Sequence, residues 1–139
     1  MVGRRFLGPA QLLAGRGAEE YWRAAAGRAY YALFVECRDA LLRWGFIIPP
    51  RDNVHSFVRL RFFTTASAEL QGIGRALEDL CRLRNEADYR TTAPGNFASA
   101  VPASDALQEA RDALSLLDQI VGDPARQAAA VAAIRAAWP

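Results

Sequence analysis

Apolar residues recur along this chain at three- and four-residue intervals, and alternating runs of period two are nearly absent, so the pattern predicts helices throughout. The first helix runs from Pro9, a good first-turn residue, to Ala14, and Gly15 ends it. A second and much longer one spans Ala18 to Trp44, closed by Gly45 and the Pro49-Pro50 breaker. Asn53 is placed to cap a short helix from Val54 to Phe63. Thr65 or Ser67 then opens a long helix ending near Thr92, with Gly72 and Gly74 weakening its first turns and predicting a kink. Residues 93–103, rich in Ala, Pro and Gly, read as a loop. Ser104 caps a further helix from Asp105 to Val121, Gly122 ends it, and Asp123-Pro124 starts an alanine-rich last helix over residues 124–137. The expected fold is all-α: an antiparallel bundle of four main helices with short additional ones. Residues 1–122 form the bundle and 123–139 an accessory helix of the same domain, with Val131, Ile134 and Trp138 to bury against the bundle or a partner.

Two helices depart from a simple one-faced pattern. In the second, Trp22, Ala26, Ala29, Tyr30, Leu33, Cys37, Ala40 and Trp44 share one apolar face. Ala24, Tyr31, Val35 and Leu42 form a narrower stripe opposite, flanked by Arg28 and Arg38. A helix apolar on two sides is central in its bundle or shared with a partner chain. In the long helix, Ile73, Ala76, Leu77, Leu80, Leu83 and Ala87 make a buried face. Arg84 falls inside that arc, about 40° from Leu80, and Asp88 lies at its edge, one turn on. A guanidinium aimed into an apolar face must be paired, ligand-bound or at a second interface. Tyr89 falls on the opposite side of the wheel, as a contact for a partner.

Composition narrows the chemistry. At 139 residues, 52% hydrophobic and 23% charged, the chain suits one globular domain with a real core. Its 17 basic residues are all arginine, the better residue for bidentate phosphate or carboxylate contact. The net charge of +2 is uneven: residues 1–61 carry ten arginines against five acids, and residues 62–139 carry seven against ten. A basic half is compatible with nucleic acid. Cys37 and Cys81 lie in helical patterns without Cys/His spacing, and the single histidine, His55, precludes a multi-histidine metal site, so neither metal nor cofactor is expected. His55, Arg51, Arg59 and Arg61 make a small cationic patch with only Asp52 as a neighbouring acid. There is no phosphate-binding loop and no dinucleotide turn. No run reaches the roughly 18 apolar residues of a membrane span, and Pro9, Gln11 and the charges after Arg4-Arg5 break any leader-like pattern, so a reduced, cytoplasmic protein away from membranes is expected.

Three stretches together resemble the HEPN family of small helical proteins. Gly27-Arg28-Ala29-Tyr30-Tyr31-Ala32-Leu33-Phe34 is similar to the R-x-Y-Y-A-x-F segment of the family's long helix. Val54-His55-Ser56-Phe57-Val58 with Phe62-Phe63 resembles its histidine-containing short helix. Arg84-Asn85-Glu86-Ala87-Asp88-Tyr89 is similar to its R-x-x-A-D-Y signature. The likeness covers roughly residues 5–121, leaving the last helix outside it. It implies a homodimer with the signature near the dimer cleft, RNA as target, and a role as toxin or defence effector beside an MNT-type nucleotidyltransferase that serves as partner or antitoxin. Active members follow the signature arginine by a histidine four to six residues later; here no histidine follows Arg84. The resemblance therefore carries Arg84 over as phosphate binder and transition-state stabiliser, with Asp88 beside it and Arg28, Tyr31, His55, Asn85 and Tyr89 as the surrounding binding residues. Asp88 next to an arginine is a weak base, and His55 is the one imidazole available, delivered across the dimer. Some family toxins are silenced by nucleotidyl transfer to a tyrosine near the signature, which makes Tyr89 a candidate modification site. Three readings follow: an RNA-targeting module with metal-independent RNase activity, a non-catalytic dimeric partner of a nucleotidyltransferase in which Arg84–Asp88 is structural, and a small-nucleotide site near Arg28, Tyr31 and Arg84.

Overall fold

The computed structural model describes residues 2–139, apart from the side chain of Asp52, which lies outside the described residues together with its place in the expected cationic patch. The described residues form six α-helices and no strand. These are α1 (Leu7–Ala14), α2 (Glu19–Arg43), α3 (Val54–Phe63), α4 (Ala68–Tyr89), α5 (Val101–Val121) and α6 (Pro124–Ala137). Short 3-10 turns cover Gly3–Phe6, Arg51–Asn53 and Gly95–Phe97.

The centre of the fold is α2, which packs against α1, α4, α5, α3 and the first 3-10 turn. Both of its apolar stripes are therefore used inside the chain. Ala25, Ala26, Ala29 and Ala32 are buried and keep its neighbours close, while Leu33, Cys37, Ala40 and Leu41 join Leu77, Leu80, Leu114 and Leu117 in one core. Of the second stripe, Val35 is buried and Tyr31 packs against the core; only Leu42 stands clearly in solvent. Gly45 ends the helix at φ +88°, a left-handed turn that a β-carbon would strain.

Local signals set the other boundaries, with corrections. Ser67 caps α4, its hydroxyl accepting from the Leu70 N–H, and Asp123 caps α6 through the N–H groups of Ala125 and Arg126. Asn53 does not cap α3: it has helical backbone angles and no capping bond, because the 3-10 turn before it already directs the chain. Ser104 does not start α5 either. That helix begins at Val101, with Pro102 in its first turn where a missing N–H costs nothing, and the expected loop shrinks to a short segment pinned by the buried Phe97. Helix α4 stops at Tyr89, and Gly72 and Gly74 leave it a single helix. Gly74 is there for contact: a β-carbon on it would lie 2.5 Å from the backbone of Phe63, so α3 and α4 meet at main-chain distance. The accessory helix α6 packs on α5 and α3, burying Ala130 and Ile134, and the Trp138 indole donates to Thr64 Oγ1. No helix of the described chain is long and apolar enough to cross a membrane.

Candidate functional site

Arg84 leaves α4 on its buried side, as the wheel requires, with its side chain 16% exposed. It crosses to α2, where a guanidinium Nη2–H donates to the Tyr31 hydroxyl at 2.7 Å. Nη1–H donates to Asn85 Oδ1 at 3.0 Å. The guanidinium also lies over the Tyr30 and Tyr31 rings, 5.6 and 5.4 Å from their centroids. Burial works against its charge, but the Tyr31 hydroxyl and Asp88 more than offset that, so the group stays cationic. Room for its stem comes from Gly27, one helix over.

The Arg84–Asp88 pair forms, but loosely. Nε and Oδ2 are 3.5 Å apart, Asp88 is half exposed, and the geometry does not make a hydrogen bond. Nε is the one buried side-chain nitrogen or oxygen among the described residues without a hydrogen-bond partner. Such a donor marks a site that its own neighbours do not complete. Tyr31 is thus the stronger anchor, and an exposed ion pair at this distance contributes little.

His55 reaches the same tyrosines from α3 within one chain, so no second protomer is needed to bring it near Arg84. Its Nδ1 is 2.6 Å from the Tyr30 hydroxyl. The ring stacks on Phe34 with centroids 4.3 Å apart and sits edge-on to Tyr31. Burial, with the nearby Arg84 charge, lowers the His55 pKa below its usual 6.5, so the imidazole is neutral at neutral pH. Burial and the adjacent Cys81 raise the Tyr30 pKa, which keeps that phenol protonated; the Arg84 charge opposes this only in part.

The remaining expected residues are spread around this centre. Arg28 is exposed one turn before Tyr31 and bonds only its own helix, at Ala24 O. Tyr89 is 74% exposed at the end of α4, without a packed interface inside the chain. The cationic patch does not hold together as one surface: His55 turns to Tyr30 and Phe34, whereas Arg61 lies between Phe57 and Trp138.

Three contributors were not expected at the site. Tyr30 read as part of an apolar face, and both it and Phe34 as positions of the R-x-Y-Y-A-x-F likeness, but only the fold shows them orienting His55. Arg23 is the third. Its guanidinium, 11% exposed and stacked over Phe97, donates to the carbonyls of Glu86, Ala87, Arg90 and Ala93 while Glu19 holds it from behind. It caps the C-terminus of α4, where unpaired carbonyls and the helix dipole favour a cation. The signal was an arginine between Trp22 and Ala26 on an apolar face, the same kind of oddity as Arg84.

A groove of about 620 Å³ runs between α4 and α5 and touches the site only through Asn85. Arg84 and His55 are not in its lining. It holds Asp79 and Glu109; burial, a hydrogen bond that the protonated Glu109 carboxyl donates to Asp79, and the Asp79 charge push Glu109 up to about 7. Among the described residues no group of three or more His, Cys, Asp or Glu gathers as a metal cluster.

The arrangement offers a charged guanidinium and a neutral imidazole on two edges of a tyrosine pair, suited to holding an anion beside a base. Comparison of the chain with protein-family models, with curated proteins and with solved structures finds no match.

Proposed function

We propose that the chain is a HEPN-like RNA-targeting module, a toxin or defence effector of the cytoplasm, in which Arg84 binds the scissile phosphate. In this reading the helices form an antiparallel bundle that dimerises with the Arg84 region near the cleft. The observation that carries it is the meeting of Arg84 and His55 at Tyr30 and Tyr31. Cleavage of RNA through its own 2′-hydroxyl needs a base that is neutral near pH 7 and positive charge at the phosphorus. The mechanism requires the tautomer in which Nδ1–H donates to the Tyr30 oxygen, leaving the His55 Nε2 lone pair free to take the 2′-hydroxyl proton. The 2′-oxygen bonds to phosphorus, the bond to the 5′-oxygen breaks, and that oxygen takes a proton from solvent. The products are a 2′,3′-cyclic phosphate and a 5′-hydroxyl. Arg84 stabilises the charge that builds on the phosphoryl oxygens, and Tyr31 and Asn85 orient it, with Asp88 adding only nearby negative charge. The test is RNA cleavage in the presence of a chelator, compared with Arg84→Ala and His55→Gln.

A second reading, a non-catalytic dimeric partner of an MNT-type nucleotidyltransferase, draws support from the exposed Tyr89 and from the absence of a histidine after Arg84. Co-purification with such an enzyme, and nucleotidyl transfer to Tyr89, would distinguish it. Loss of that transfer in Tyr89→Phe with no RNA cleavage by the parent would favour it over the first.

A further inference from the structure

Away from Arg84, on the other side of α3, a cavity of about 480 Å³ opens between the α2–α3 connector, α3 and the end of α6. Phe46, Ile47, Phe57, Arg61, Arg135 and Trp138 supply its walls. No acidic side chain is among its lining residues. Its volume lies in the range of small-ligand sites, roughly 300–1,000 Å³.

The geometry of Arg61 is specific. Its guanidinium is sandwiched between Phe57, 3.7 Å from the ring centroid, and Trp138, 4.0 Å away. All five guanidinium N–H groups lie in the plane of the group, so covering both faces leaves every donor on the edge. No side-chain hydrogen bond or ion pair among the described residues engages that edge. Arg135 lies over Phe46 at 5.2 Å and has only a long contact, 3.4 Å, to the Trp44 carbonyl. Two planar cations with free edges, held in aromatic walls, match a phosphate group bidentately. The flat apolar remainder, including Ile47 at 90% exposure, matches a ring that stacks or packs. Packing alone would account for Arg61 tying α6 to α3 and for Arg135 tying it to Phe46 and Trp44, but it leaves the exposed Ile47 without a role.

We propose that this cavity is a nucleotide site, with Arg61 and Arg135 on the phosphate and the base against Phe46 and Ile47. It stands apart from Arg84 and does not depend on the reading of that residue. The chemistry is shared by a free nucleotide and by one unit of a single strand of RNA, and the experiment separates the two.

The full-length protein, labelled with ¹⁵N, is titrated with AMP and, separately, with a four-residue oligoadenylate. The reporter is the Trp138 indole N–H, which bonds to Thr64 Oγ1 at 3.1 Å. A shift of that resonance is expected, weakened at least about tenfold in Arg135→Gln, an exposed position whose change leaves the core intact. Arg84→Ala should leave the AMP-induced Trp138 shift within about twofold of the parent, since the two sites share no residue; the comparison uses AMP alone, because the oligoadenylate also reaches Arg84. Tighter binding of the oligonucleotide assigns the source to RNA, and equal affinity assigns it to the free nucleotide. If neither probe moves the Trp138 signal at millimolar concentration, or if Arg135→Gln binds as the parent does, the proposal is overturned. A loss of binding in Arg84→Ala equal to that in Arg135→Gln overturns it as well, by assigning the nucleotide to the Arg84 site.

Discussion

Arg84 of α4 is anchored by Tyr31 of α2, through a 2.7 Å hydrogen bond, more firmly than by Asp88 of its own helix at 3.5 Å. The helix-borne pair is visible in a wheel; the stronger partner, 53 residues away, is visible only in the fold. Tyr31→Phe keeps the ring and removes the acceptor. It should lower stability by about 1–2 kcal/mol in denaturant unfolding, the range for a charge-assisted bond partly open to water. RNA affinity should fall with it, since Arg84 loses its fixed position.

Arg23 is expected to matter more for stability than Arg84. Arg23→Ala leaves the carbonyls of Glu86, Ala87, Arg90 and Ala93 without their donor and should cost about 2–3 kcal/mol. Amide exchange should quicken most at the end of α4 and in the 3-10 turn Gly95–Phe97, where Phe97 loses the guanidinium over its ring.

Two glycines predict opposite outcomes. Gly74→Ala forces a β-carbon against the Phe63 backbone at 2.5 Å and should destabilise by about 3 kcal/mol, because main chain cannot step aside. Gly27→Ala meets only the Arg84 side-chain stem at 3.9 Å, an ordinary contact, and should stabilise α2 by about 0.5–1 kcal/mol. Thermal melts of the pair check both.

Stability should depend on pH through two groups with opposite signs. The folded His55 binds its proton less readily than the unfolded one, so its contribution is present above pH 6.5 and is lost as pH falls through its lowered folded pKa. Glu109, raised to about 7, contributes below about pH 4.5 and loses that contribution as pH rises through 7. Denaturant midpoints from pH 4 to 8 should show the acid-side fall disappear in His55→Gln and the neutral-side fall disappear in Glu109→Gln.

Legibility followed the range of the cause. Helix α6 was bounded correctly from the sequence because Asp123 and Pro124 act within a turn, and α3 begins where expected although Asn53 makes no cap bond; α5 was started late because Ser104 looked like a cap, while Pro102 is what opens the helix. Gly74 was read only as a weak point of its helix, because the close approach of Phe63 that it allows comes from a neighbouring helix. Arg84 announced itself as a charge on an apolar face, whereas Tyr30 and Phe34 stood in the family likeness with nothing to show that they hold His55. His55 was read as needing a second chain because nothing local shows that α3 turns it toward α2.

The central claim rests on Arg84, and the most direct measurement is single-stranded RNA cleavage by the purified parent and Arg84→Ala in the presence of EDTA, with circular dichroism on both. The account predicts cleavage to 2′,3′-cyclic phosphate ends by the parent, and a loss of about 100-fold or more in a variant that keeps its helical signal. A parent that neither binds nor cleaves RNA, or a folded Arg84→Ala that cleaves as well as the parent, would contradict it.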